Sequence, residues 1–116
     1  TPETEGILDY QTFRKLRRRL EGGPVVVNAA RGGHQKEADI VRALGDGTLG
    51  AASLDVFEVE PLPPDSRLWA LPNCYITPHI AAISHPDSGV HYFSRILLDH
   101  EAGKPLVNVV DVHRGY

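Results

Sequence analysis

The sequence contains no methionine and only one cysteine, Cys74. One thiol excludes an internal disulfide, and its place at the start of a predicted strand reads as a buried, reduced side chain. No apolar run approaches the ~20 residues that cross a bilayer, and the start lacks the basic-then-apolar order of a signal peptide. A cytoplasmic location is the expectation. There is no excess of positive charge either: the formal net charge is −3, which gives no general pull toward nucleic acid or an anionic membrane and leaves small-molecule chemistry as the default. The nucleophile-elbow pattern G-x-S-x-G is missing, which argues against a Ser/His/Asp hydrolase. The six histidines show neither the i, i+4 pairing nor the cysteine partners of a common zinc site, so no metal ligand set is assigned. Repeats and low-complexity segments are also absent. With no methionine and an opening TPETEG, the chain reads as a fragment, a processed piece, or a chain whose start is not shown.

What is present fits one globular domain: 116 residues, 41% hydrophobic and 23% charged. The most informative stretch is Val25 to Gly33, VVVNAARGG. Its continuous β-branched run predicts a strand covered on both faces, as in a parallel α/β sheet, running directly into an arginine and two glycines. Such folds place ligands at the carboxyl ends of their strands. Two later segments repeat the geometry. GAASLDV ends on Asp55 with Glu60 five residues on, and CYITP is followed at once by His79. Arg31, Asp55 with Glu60, and His79 are therefore expected to leave three successive strands on one rim.

Between these strands the pattern is helical. Asp9 can cap a helix to about Leu20, with Phe13, Leu16 and Leu20 on one face and the basic residues from Arg14 to Arg19 solvated on the other. A second helix runs from about Lys36 to Leu44 with Ile40, Val41 and Leu44 inward, stopped by Gly45 and Gly47. Strands are expected at Val25–Ala29, Ala51–Val56 and Tyr75–Thr77. Four prolines between Pro61 and Pro72 exclude a long helix there, leaving room for a short turn around Ser66 to Ala70. The longest helix is expected from Pro86 to Ala102 with Val90, Phe93, Leu97 and Leu98 inward, ended by Gly103 and Pro105. GDGTLG, Gly45 to Gly50, matches G-x-G-x-x-G but follows a helix and precedes a strand, the reverse of a dinucleotide cradle, so it reads as a helix stop and turn. The fold class is α/β: half of a Rossmann-like parallel sheet of three strands with right-handed crossovers. Three parallel strands leave bare edges, so partner strands are expected upstream. The domain reading is 1–102, including the long helix, and 103–116 as an extended tail.

The chemistry follows from residue types. The guanidinium of Arg31 is a planar fork that matches a carboxylate. His79 carries protons near neutral pH, and a carboxylate beside it would orient the ring; Glu58 and Glu60 are the rivals for that place. Asp55 can accept from a ligand amide or cap its own loop. Trp69 is either a lid on the proline-rich loop or a wall of the substrate pocket.

The linked motifs TPETEGIL, VVNAARGG, LDVFEVEPLP and ITPHIAA resemble the D-isomer-specific 2-hydroxyacid dehydrogenases over essentially the whole chain, and PLPPDSRLW with NVVDVHRGY is most similar to the glyoxylate/hydroxypyruvate reductase branch. The resemblance implies a catalytic set of Arg31, Glu60 and His79, with Glu60 selected over Glu58. It also implies a cofactor surface of Asp55, Asn28, Ala29 and Ala30. The implied cofactor is NAD(P)H, with NADP favoured by the branch, and the implied substrates are small 2-oxoacids such as glyoxylate and hydroxypyruvate. A full-length parent would be a homodimer. Only the second half of the family's nucleotide-binding domain and its return segment are present, without the pyrophosphate cradle. The alternative from another class is a non-catalytic half-domain that binds a partner or itself.

Overall fold

The computed structural model describes residues 2–16 and 22–114. It divides into two units, Pro2–Ala82 and the segment from Ile83 onward. In the first, the β-branched run forms β1, Val25–Asn28, followed by β2, Ala51–Leu54, and β3, Cys74–Ile76. The strands are parallel in the order β1-β2-β3, with Val25 opposite Ala51 and Leu54 opposite Ile76. Three parallel neighbours joined by crossovers put all their carboxyl ends on one edge. That edge is where the rim residues emerge.

Each strand ends one to two residues before its predicted end, because the chain turns there to build the rim loops. The expectation of a sheet covered on both faces is corrected. Burial alternates along β1: Val26 and Asn28 are buried, whereas Val25 and Val27 are 53% and 68% exposed. Period-2 geometry sends alternate side chains to opposite faces, and only one face of this sheet packs on a core. That core joins Val26, Ala52 and Leu54 of the sheet to Phe13, Ile40, Leu44, Leu49 and Leu68. Cys74 is half-buried rather than buried, since it starts a strand at the sheet's other edge; its desolvation still pushes the thiol pKa up.

Helix α2, Glu37–Gly45, buries Ile40, Val41, Ala43 and Leu44, with Glu37 and Asp39 in its first turn and Arg42 in its last, as the helix dipole favours. GDGTLG turns from α2 into β2, with Leu49 fully buried and its N–H on the Ala43 carbonyl. Asp9 caps α1, accepting from the Thr12 N–H, but α1 spans only Tyr10–Phe13. The helix expected to Leu20 is corrected: Arg14 already ends it, Lys15 and Leu16 continue as turn and bend, and Leu16 is exposed, whereas residues 17–21, which hold the rest of the expected helix and its end, lie outside the described residues. Ser66 caps a 3-10 turn at Arg67–Ala70 that buries Leu68.

In the second unit, α3 is Pro86–Glu101 with Pro86 in its first turn. The expected inward face is corrected here too. Val90, Phe93, Leu97 and Leu98 are all more than half exposed, and no residue of α3 is buried. Periodicity identifies an apolar face, but burial needs a second surface to cover it. No helix among the described residues is long and apolar enough to cross a membrane.

Candidate active site

Asp55, one residue past β2, is buried, and its carboxylate gathers the chain that follows β3. Oδ1 accepts from Thr77 Oγ1 at 2.5 Å and from the Ile80 N–H at 2.9 Å, and Oδ2 accepts from the Ala81 N–H at 2.9 Å. These donors, the Thr77 hydroxyl foremost, hold the Asp55 carboxyl below its ordinary pKa. The arrangement makes Asp55 a clamp on the segment that presents His79. His79 itself adopts a left-handed backbone, φ 55°, which a histidine tolerates better than a β-branched residue would.

The His79 ring meets Glu60, with Nδ1 2.8 Å from Oε2. The other carboxylate oxygen of Glu60 accepts from the Phe57 N–H at 2.9 Å. Both contacts, with the imidazole as the larger, hold the Glu60 pKa below its ordinary value. An ionised carboxylate can only accept, so Nδ1 carries the proton of this bond and Nε2 is the ring nitrogen left outside it. Glu58 does something else. Its Oε1 accepts from the Glu37 N–H at 2.7 Å while Glu37 Oε1 accepts from the Glu58 N–H at 2.7 Å, a reciprocal pair that closes the start of α2, where Lys36 provides no side-chain cap. Geometry thus separates the two glutamates that spacing alone left as rivals.

Beside the His79–Glu60 pair lies a largely apolar cavity of about 510 Å3, walled by Phe57, Leu62, Trp69 and Ile76. Trp69 lines this cavity, and its Nε1 donates to the Pro63 carbonyl of its own loop at 2.9 Å. Arg31 is exposed and is not in that wall. One of its nitrogens donates to the neighbouring Ala30 carbonyl at 2.7 Å, leaving the rest of its fork available. Ala29 and Ala30 are exposed as well. Asn28 is buried and fully engaged: Nδ2 donates to the Arg31 carbonyl and to Gln35, and Oδ1 accepts from the Ala30 N–H.

Two structural contributors were missed in the sequence. Thr77 could have been found, because pairing Leu54 with Ile76 places the next residues, Asp55 and Thr77, side by side. Gln35 carried no signal: a glutamine ahead of an amphipathic helix reads as solvated, yet it is 2% exposed. No cluster of three or more His, Cys, Asp or Glu side chains that could hold a metal ion occurs among the described residues. The small exposed residues at the end of β1 and the polar acceptor at the end of β2 suit a flat, amide-bearing heterocycle. The pyrophosphate of a dinucleotide has no comparable cradle among the described residues, since the only G-x-G-x-x-G is the turn after α2.

Comparison with known proteins agrees with this architecture. All of the chain superposes on 37% of a probable 2-hydroxyacid dehydrogenase from Rhizobium etli CFN 42, solved with NADP and L(+)-tartaric acid, at 51% identity and a TM-score of 0.86. It likewise matches 37% of an NADPH-dependent glyoxylate/hydroxypyruvate reductase from Sinorhizobium meliloti, at 50% identity over the whole chain and a TM-score of 0.91. A D-isomer specific 2-hydroxyacid dehydrogenase from Xanthobacter autotrophicus Py2, solved with NADPH, gives 42% identity, a TM-score of 0.88, and coverage of 100% of this chain and 46% of its own. The chain therefore spans 37% to 46% of the length of these structures. Residues 1–81 match the family of the D-isomer specific 2-hydroxyacid dehydrogenase NAD binding domain, and the chain belongs to that family.

Proposed function

We propose that these residues serve as the reacting half of the cofactor domain in an NADP(H)-dependent reductase of small 2-oxoacids, with glyoxylate and hydroxypyruvate as substrates. The observation that carries the reading is the His79–Glu60 pair at the strand-end rim, with Nδ1 engaged at 2.8 Å and Nε2 outside that bond. The NADP complexes of the Rhizobium and Sinorhizobium proteins and the reductase activity named for the latter support the cofactor and substrate class.

A bound nicotinamide nucleotide would supply the hydride. Ala29 and Ala30 would offer it a small, flat approach, and Asp55, whose Oδ2 holds a single hydrogen bond, retains room to accept from a carboxamide. Arg31 would leave the Ala30 carbonyl and take the substrate carboxylate in a two-bond fork. His79 would then deliver the Nε2 proton to the substrate's carbonyl oxygen as negative charge develops there. Glu60, anchored by the Phe57 N–H, would hold the ring in position and stabilise its charged form.

The test is NADPH oxidation by the complete polypeptide with glyoxylate, alongside Arg31→Lys. Lysine keeps the charge but loses the fork, so KM for the 2-oxoacid should rise on the order of 10- to 100-fold with NADPH affinity retained. An Arg31→Ala protein with unchanged glyoxylate kinetics would refute the carboxylate role.

A further inference from the structure

Arg31 and Glu60 sit on two separate loops, residues 29–33 after β1 and 55–61 after β2, and His79, after β3, meets Glu60. Strand pairing stops at Asn28 and Leu54, so the ladder does not set the spacing between them. A buried side chain bridges the gap. Gln35 Nε2 donates to the Val56 carbonyl at 3.0 Å, and its Oε1 accepts from Asn28 Nδ2 at 2.8 Å. Asn28 Nδ2 also donates to the Arg31 carbonyl at 3.0 Å. The Val56 carbonyl and the Phe57 N–H belong to one peptide group, and that N–H donates to Glu60. One peptide is thus pinned at both ends, by Gln35 on its oxygen and by Glu60 on its nitrogen. Hydrogen bonds on the two ends of a peptide polarise it in the same sense and strengthen each other. The path runs unbroken from the Arg31 carbonyl to the His79 ring.

The bridge is anchored from behind. Gly6 N–H and Leu8 N–H donate to the Gly33 and His34 carbonyls at 2.8 Å each, and Lys36 N–H returns a bond to Leu8. A glutamine with both ends of its amide used inside a core is demanding: an apolar side chain of the same size would fill the space without needing partners. What the amide adds is a fixed distance.

We propose that Gln35 is a positioning residue that sets the spacing between Arg31 and the Glu60–His79 pair, so that carboxylate capture and proton delivery act on one small 2-oxoacid. This rests on the function proposed above. The experiment is Gln35→Met, which keeps the volume and removes both bonds, in the complete polypeptide. Its kcat/KM for glyoxylate should fall on the order of 10- to 100-fold, as for a reacting group misplaced by about 1 Å, while NADPH affinity changes less than about twofold. In an Arg31→Ala background the same substitution should cost less than about threefold, because the group it positions is already gone. A loss equally large in both backgrounds, or no loss in either, overturns the proposal. If Gln35→Met does not fold, Gln35→Leu removes the same two bonds without overfilling the space, and wild-type kinetics in that variant would overturn it as well. Absence of any 2-oxoacid turnover in the unsubstituted protein would sink the function reading instead. Amide hydrogen exchange then still judges the bridge: the Phe57 amide should exchange faster in Gln35→Met, and an unchanged rate refutes the pinning.

Discussion

A methyl group placed on Gly32 would lie 1.8 Å from the Phe57 carbonyl oxygen and 2.1 Å from its carbon, both backbone atoms that have no rotamer to escape into. Reaching the 3.4 Å of ordinary van der Waals contact requires the Arg31 loop and the Glu60 loop to part by more than an ångström. That displacement carries the Gln35–Val56 bond, now 3.0 Å, out of range and leaves a buried amide unpaired. Overpacking costs about 1–3 kcal/mol, and the orphaned amide adds about 1–3 kcal/mol. Gly32→Ala should therefore lose about 4 kcal/mol, a large part of the 5–15 kcal/mol typical of a domain. Gly33 and Gly45 have nothing within 4 Å of the equivalent position, so alanine there should shift stability by no more than about 0.5–1 kcal/mol. Urea unfolding followed by circular dichroism compares all three. Gly32→Ala indistinguishable from Gly33→Ala would show that the loops do not depend on this close approach.

Two further outcomes follow from the site. Glu60→Gln should lower kcat for glyoxylate on the order of 100-fold or more while Glu58→Gln leaves it nearly unchanged, since only the former carboxylate meets the imidazole; equal losses in steady-state assays would erase the distinction. Asp55 and Glu60 both titrate below their ordinary 3.8 and 4.5. A carboxylate depressed in the folded state stabilises above its unfolded pKa and loses that contribution as pH falls through the folded one. Melting temperature should then hold down to about pH 4.5 and drop below it, less steeply in Asp55→Asn; a decline that starts near neutrality would implicate other groups.

Much of the rim was legible in the chain. Short, mostly apolar runs that lead into an arginine with glycines, an acid or a histidine mark strand ends, and parallel order brings such ends to one edge whatever the side chains do next. Asp9, Ser66, α2 and the turn at Gly45 to Gly50 were equally legible, because caps, apolar spacing and helix stops act over a few residues. Motif similarity went further and singled out Glu60.

Other features needed the third dimension. Whether Val25, Val27 and the apolar face of α3 are covered depends on a second surface, which periodicity does not supply. The division of labour between Glu58 and Glu60, two residues apart in one proline-rich loop, arises because one meets the start of α2 and the other meets His79. Asp55 became a clamp only once β3 lay beside β2 and delivered Thr77, Ile80 and Ala81 to it. Gln35 is the extreme case: its bonds join residues 7 and 21 positions away, and contacts that distant exist only after the chain has closed on itself. Local sequence, through propensity and spacing, determined which elements form and where they stop; packing alone determined which polar side chains would face one another.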